Sequence, residues 1–480
     1  MAKLKHIIKQ LSDHDFDAIH ASLVESNADK SAYLLRSMRE KPLSDAKIMK
    51  ELDVNTNAYY TLRSRLNQKI EEYLLQQMES PRTDLLKKVA NINEVIFTKK
   101  KAISVATLKK LERELLDYDL SNELTIVYKT LKKLHINSPE YFHYSQLYNK
   151  HVAYMLAVDK AEDLLAEYLK KFGNFTLSGE EVDKMGLDLL AQEMDNVCNL
   201  YQSHRLYVYQ SCLSIFHRLF IEKGESPDDE KEPIEDILDK IEHIFENYYL
   251  DSIYFHLKLV FEYLRLEYYN YYKVYRKAEK YFDEVNEEMA SLLTNYSLYT
   301  YPPQFLKTKL ERHLRLETEE QLYEENESFF SSFDCDKENV PMYINYVMYR
   351  SLSCYYVKKH DEASRWVNNL LNEVSLKKYP YALLEIKTIL ALQYCCQKDF
   401  ELFNQLVNSI QRQIRILGKE NCEDIVLFIK ILKTAISESK RDKPGKMRAL
   451  IEKYTSINHN RLFNPTRFIR MDDTFIENLL

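Results

Sequence analysis

Six glycines in 480 residues restrict this chain more than any other feature. Only glycine takes positive φ cheaply, so tight hairpins and phosphate-cradling loops are built around it. The six are Gly173, Gly179, Gly186, Gly224, Gly418 and Gly445. None are spaced as G-x-G or as G-x-x-x-x-G-K-[ST], and no G-x-S-x-G occurs. A dinucleotide-binding turn, a Walker-type loop and a nucleophile elbow are therefore excluded. Extensive β-structure is disfavoured for the same reason. With only 11 prolines as further breaks, the chain reads as long uninterrupted segments.

Those segments have helical period. After Pro233, Ile234, Ile237, Leu238, Ile241, Ile244 and Phe245 recur at steps of three and four, which is one apolar helix face. The spacing returns at Leu66, Ile70, Tyr73, Leu74 and at Leu406, Ile410, Ile414, Leu417. An all-α chain of about twenty helices follows. Single cores stop growing near 250–300 residues, so stacked helix pairs, each touching its neighbours, are the economical plan.

Three segments share an aromatic or apolar stretch, a short polar turn, then Ala with a bulky apolar residue four later. They are His151–Ala161 with Leu165, Tyr269–Ala278 with Phe282, and Cys354–Ala363 with Val367. This pattern resembles the tetratricopeptide repeat. Leu266, Tyr269, Tyr275, Ala278 and Phe282 fall on its small-or-apolar, Tyr, Tyr, Ala and Phe positions. Ser351, Asp361, Glu362, Ala363 and Val367 follow less fully. The family's glycines are replaced by Leu266 and Ser351 in the first helix, and by Lys273 and Lys358 at the turn. The alanine separations of 117 and 85 residues suit units of about 40. The resemblance implies a right-handed solenoid of antiparallel helix pairs, with Ala161, Ala278 and Ala363 buried at helix crossings.

Residues 1–90 differ. Ser44–Leu62 resembles a helix-turn-helix: Ile48 and Leu52 on the first helix, Val54 in the turn, Tyr59 and Leu62 on the second. Asp53 stands at the usual glycine of the turn, and Asn55 is placed to cap the second helix. The expected organisation is a helical head over 1–90, an array over 91–456 and a C-terminal arm or capping helix over 457–480. In that arm, Asp472 or Asp473 would cap a last turn carrying Phe475, Ile476, Leu479 and Leu480 on one side. So many large apolar residues predict packing on the chain's own array or in a partner's groove.

No catalytic constellation is written here. The 13 histidines include no H-E-x-x-H and no i,i+4 pair, and the seven cysteines no C-x-x-C, so no metal or cofactor is expected. Asp334-Cys-Asp336-Lys-Glu338 lacks the glycine and glutamate of a calcium loop. The acidic run 225–232 reads as a solvated loop. The start is not a secretory signal, no apolar run approaches a membrane span, and a cytoplasmic location is expected.

Two features carry functional expectation. Ten of the 37 tyrosines fall between Tyr248 and Tyr281. Tyr268, Tyr272 and Tyr275 share a helical spacing, yet one face cannot bury Tyr268, Tyr269, Tyr271, Tyr272 and Tyr275 together. These five are the candidate partner-binding residues, with two-sided burial between helix pairs as the alternative. Residues 1–110 carry 20 Lys+Arg and 14 Asp+Glu against a whole-chain charge of −7, which leaves a basic head on an acidic array. The expected function is a non-enzymatic scaffold or adaptor that takes a partner helix or peptide in a solenoid groove. The alternative is a DNA-binding regulator reading through Asn55, Thr56, Asn57, Tyr60, Arg63 and Arg65. The overall net charge does not support nucleic acid as a partner.

Overall fold

The computed structural model describes residues 4, 7–8, 11, 13–26, 28–40, 45–77, 81–199, 201, 203–222, 232–248, 252–295, 301–330, 335–437, 442–457 and 461–480. Among the described residues it contains α-helices and two short 3-10 turns, and no strand. No helix among them is long and apolar enough to cross a membrane. Chain packing separates two compact units, Met1–Tyr148 and Asn149–Leu480.

The first unit contains α1 (Asp13–Glu25), α2 (Asp29–Glu40), α3 (Asp45–Glu51), α4 (Thr56–Gln77), α5 (Pro81–Ala90), α6 (Ile92–Thr98), α7 (Lys101–Asp117) and α8 (Ser121–Leu134). Its apolar residues form two separate cores. One joins Ile19, Leu35, Ile48, Tyr59, Leu66 and Ile70, with Val54 and Leu62 packed against it. The other joins Leu85, Leu108, Leu115, Leu124, Leu131 and Tyr144.

Helix α9 runs from Glu140 to Ser178 without a break, which corrects the turn expected between His151 and Ala161. No residue there takes positive φ, and nothing in Leu156-Ala-Val-Asp-Lys160 forces a stop. Ala161 is fully buried, but inside one continuous helix. After Gly179, at φ 66°, come α10 (Glu181–Cys198), α11 (His204–Phe220), α12 (Ile234–Asn247), α13 (Ser252–Tyr271), α14 (Tyr275–Asn295), α15 (Tyr301–Leu316) and α16 (Gln321–Phe330). Then follow α17 (Val340–Tyr356), α18 (His360–Glu373), α19 (Pro380–Gln397), α20 (Phe400–Leu417), α21 (Glu423–Ile436), α22 (Lys443–Ser456) and α23 (Asp473–Leu479). In α12, Ile234, Ile237, Leu238, Ile241 and Phe245 are buried, the face that the spacing marked. One continuous core extends from Ala157 to Leu479.

Packing is between neighbours. α13 lies against α14, α17 against α18, α19 against α20, and α21 against α22. Alternate helices also meet: α11 on α13, α13 on α15, α15 on α17, and α19 on α21. Ala278 and Ala363 are buried. The Ser351 hydroxyl donates to the Ala363 carbonyl at 3.2 Å, which fixes the close approach of α17 and α18.

The scarcity of glycine is met by other residues taking its conformation. Asp53, Asp119, Lys273, Glu317, Lys358 and Lys398 all have φ between 49° and 62°. At Lys358 the N–H bonds to the Tyr355 carbonyl and the Lys359 N–H to the Cys354 carbonyl, which is the Schellman closure that satisfies orphan helix carbonyls. The same pair of bonds closes the turns at Asp53, Asp119, Lys273 and Lys398. Lys273, Glu317, Lys358 and Lys398 are spaced by 44, 41 and 40 residues. A unit of about 40 residues is therefore present in the turns, though glycine does not mark it.

Candidate functional site

The tyrosine run is split by its turn. α13 ends at Tyr271, Lys273 is left-handed, and Tyr275 opens α14. Tyr268, Tyr272 and Tyr275 therefore do not share one helix face. Tyr269 is buried and donates to Glu235 Oε1 at 3.0 Å, and Tyr268 packs against the core. Tyr271, Tyr272 and Tyr275 are 45%, 42% and 38% exposed. The Tyr271 and Tyr272 rings meet edge-on at 5.1 Å, and the Arg315 guanidinium lies 3.9 Å over Tyr275. With Val274 also exposed, the turn presents a small aromatic knuckle.

In the head, Asn55 Oδ1 accepts from the Ala58 N–H at 2.8 Å and so caps α4. Asp53 supplies the left-handed turn residue. Tyr60 and Arg65 are exposed, and the half-buried Arg63 lies 5.7 Å over the Tyr59 ring. The side chains of Thr56 and Asn57 fall outside the described residues, as do Ser44, Asp334 and most of the acidic run 225–232.

The most elaborate site lies where residues 461–480 cross the array, and it is built on alternate helices. A 3-10 turn at Pro465–Phe468 packs on α15 and α19, and α23 packs on α19 and α21. Asn464 takes φ −145° and ψ 78°, outside the helical region that the following proline disfavours. Asp472 Oδ1 accepts from the Phe475 N–H at 2.9 Å and caps α23. Phe475, Ile476 and Leu479 are buried. Leu480 is 48% exposed, a correction to its place in the apolar set, because the helix stops at Leu479.

Three arginines of this segment reach five carboxylates. Arg461 pairs with Glu385 at 2.9 Å and with Asp424, and donates to the Asn421 carbonyl at 2.8 Å. Arg467 pairs with Glu311. Arg470 pairs with Glu317 at 3.1 Å and with Glu319, to which its Nε donates at 2.8 Å, and it donates to the Leu314 carbonyl at 2.6 Å. Main-chain groups are held too. Tyr356 Oη donates to the Phe468 carbonyl and accepts from the Arg470 N–H at 3.1 Å, while Lys398 Nζ reaches the Leu479 carbonyl at 2.9 Å.

At Arg461 the acids sit deeper than the arginine, whereas Glu317 is more exposed than Arg470. The Glu385 side chain is 0% exposed and that of Arg461 20%. Burial pushes the Glu385 carboxyl up to about 8, against the pull of Arg461 and with Asp424 adding to the push. Thr466 Oγ1 lies 3.3 Å from the second Glu385 oxygen and accepts from the Tyr454 hydroxyl at 3.0 Å. Under Arg467, burial and then that guanidinium push Lys307 down to about 8. The apolar and basic mixture of the segment was a visible signal. The partners 37 to 156 residues away were not, although Glu385 is a lone carboxylate in the apolar run of α19.

Six of the seven cysteines are buried. Among the described residues no three His, Cys, Asp or Glu side chains gather as a metal site. Compared with known proteins, the chain matches no protein family, no curated protein and no solved structure.

Proposed function

We propose that this chain is a non-enzymatic interaction protein, a tetratricopeptide-like right-handed solenoid that receives a helix or extended peptide from another protein. The observation that carries the reading is the docked segment 461–480. Here a segment with aromatic and basic side chains, folded as a 3-10 turn and a short helix, is held by charge pairs and main-chain hydrogen bonds on a face of stacked helices. That is how a helical array recognises a peptide. The exposed aromatic knuckle at Tyr271, Tyr272 and Tyr275 supports a second contact area, since tyrosine is enriched at interfaces.

The test is photo-crosslinking in the native cell, with the reactive residue placed at Tyr271 or at Glu317. A discrete adduct with another protein is the expected outcome. Adducts confined to the chain itself from both positions would overturn the reading.

The DNA-binding alternative draws on one observation, the capped α3–turn–α4 geometry with Tyr60 and Arg65 exposed on α4. Binding of that kind weakens steeply with salt. Absence of salt-sensitive retention on duplex DNA at low ionic strength removes it.

A further inference from the structure

We infer that the face formed by α15, α17, α19 and α21 is a receptor for arginine-bearing peptides, and that residues 461–480 are its built-in competitor. The occupant displacing them is a partner segment with arginines and aromatic residues in similar spacing. This rests on the interaction reading above and narrows it to one face and one ligand chemistry.

Charge complementarity is the first argument. Arg461, Arg467 and Arg470 each meet a carboxylate on the array: Glu385 with Asp424, then Glu311, then Glu317 with Glu319. Guanidinium is the group that satisfies such sites, because its planar fork donates several hydrogen bonds at once. Arg470 does so with a carboxylate and a carbonyl together. The bonds from Tyr356 and Lys398 go to main-chain atoms, which a peptide offers whatever its side chains.

The second argument concerns exchange. Lifting the segment takes the Arg461 guanidinium away from Glu385 and Asp424, and the Thr466 hydroxyl away from Glu385. A second guanidinium restores the same charge-assisted bonds. The device is therefore one of substitution rather than opening.

A foothold for substitution exists. Beside Arg461 lies a cavity of about 580 Å³, lined among others by Glu181, Glu420, Glu423, Asp424, Tyr381 and Phe463. Its acids outnumber its cations, and it adjoins Ile457, where the segment departs from α22. An incoming basic segment can settle there before Arg461 moves. A smaller void of about 40 Å³ lies between Leu306, Leu310, Met348, Leu352 and Phe468, which leaves room for a different side chain at the aromatic position.

The test uses the full chain with a protease site inserted between Ile457 and Arg461. The probe is a fluorescent peptide of residues 461–480, read by anisotropy. The uncut chain should bind it poorly, because the tethered copy competes at high effective concentration. Cutting should raise apparent affinity about tenfold or more, and salt should lower it. A peptide carrying Arg461→Ala and Arg470→Ala should bind about tenfold more weakly. A cut chain that keeps its helical signal but takes up no probe would overturn the inference, as would equal binding of the substituted peptide.

Should the cut chain unfold, the uncut Arg470→Ala variant decides by hydrogen exchange. Faster exchange confined to 461–480 supports a displaceable segment. Faster exchange throughout 149–480 refutes it. A crosslinked partner at Tyr271 with no peptide exchange would leave the interaction reading standing and remove only this one.

Discussion

Residues 1–148 divide their apolar side chains between two small cores, while residues 149–480 pool theirs in one. In the first region each core is closed by helices near one another in sequence: α1, α2 and α4 for one, α5 to α8 for the other. In the second, ties span long stretches of chain, from Glu385 to Arg461 and from Glu319 to Arg470. A lesion in the first region should therefore stay local. One in the second should spread, because the docked segment touches helices from α15 to α22 at once. The single tryptophan, Trp366, lies in the second region. Its emission reads that unit alone, while helical circular dichroism reads both, so the two can be followed separately in urea.

The largest effect is expected from Arg461→Ala. Stranding a buried carboxylate costs about 3–5 kcal/mol, and the Trp366 transition should shift by that amount at about pH 9. The sign of the pH dependence follows from Glu385. Its folded pKa, about 8, lies above the ordinary carboxyl value of about 4.3. Its contribution to stability is thus complete below the unfolded value and is lost as pH rises through about 8. The penalty of the substitution should shrink toward about pH 5, where Glu385 is neutral with or without Arg461. A pH-independent penalty would assign it to lost packing instead. Glu385→Gln in the same background should flatten the dependence.

Next is overpacking. Ala278→Leu crowds the crossing of α13 and α14 and should cost about 1–3 kcal/mol, read by Trp366 although the site is distant in sequence. Ala32→Leu, in the core of residues 4–70, should cost a similar amount and leave the tryptophan transition in place. If Ala32→Leu moves the tryptophan transition as well, the two regions unfold together and the contrast between them fails.

These expectations also mark how far the sequence could be read. Helix faces such as Ile234 to Phe245 were legible because burial repeats with the helical period. The turn at Lys358 was legible in position but not in conformation, since lysine carries no signal for positive φ. The break in the tyrosine run was half-visible, because the same Lys273 was placed in a turn by the repeat and on a helix face by tyrosine spacing. The continuity of α9 was missed for the converse reason: a polar Asp159-Lys160 pair reads equally as a turn or as one exposed edge of a long helix. At the docked segment, Asp472 and its cap were legible because capping is local. The pairing of three arginines with carboxylates on other helices was not, because it depends on which helices stack. Composition gives no register for that.

A smaller effect sharpens the account of the head. Asn55→Ala removes the cap on α4 and should cost about 1 kcal/mol, seen in circular dichroism and not in Trp366 emission. Asn55→Ser should restore most of it, because a hydroxyl also accepts from the helix N–H groups. If serine fails to rescue, Asn55 matters for something other than the cap, and the nucleic-acid alternative gains from that result.

The smallest effect concerns a turn that both regions share. The Schellman turns at Asp119 and Lys358 have the same two hydrogen bonds and nearly the same φ. A left-handed lysine carries strain of about 1–2 kcal/mol, while glycine in its place adds unfolded-chain entropy of about 0.5–1 kcal/mol. Lys358→Gly should therefore stabilise by up to about 1 kcal/mol, provided its ammonium contributes nothing, which Lys358→Ala controls. Aspartate tolerates the left-handed region better than lysine does, so Asp119→Gly should gain less and could come out neutral. The ranking then depends on residue type and not on whether the turn belongs to a small core or to the continuous one. Equal gains at Asp119 and Lys358 would mean that aspartate holds no advantage at this turn. A gain at Lys358 that vanishes when Arg461 is also removed would mean that the turn, too, is coupled to the docked segment.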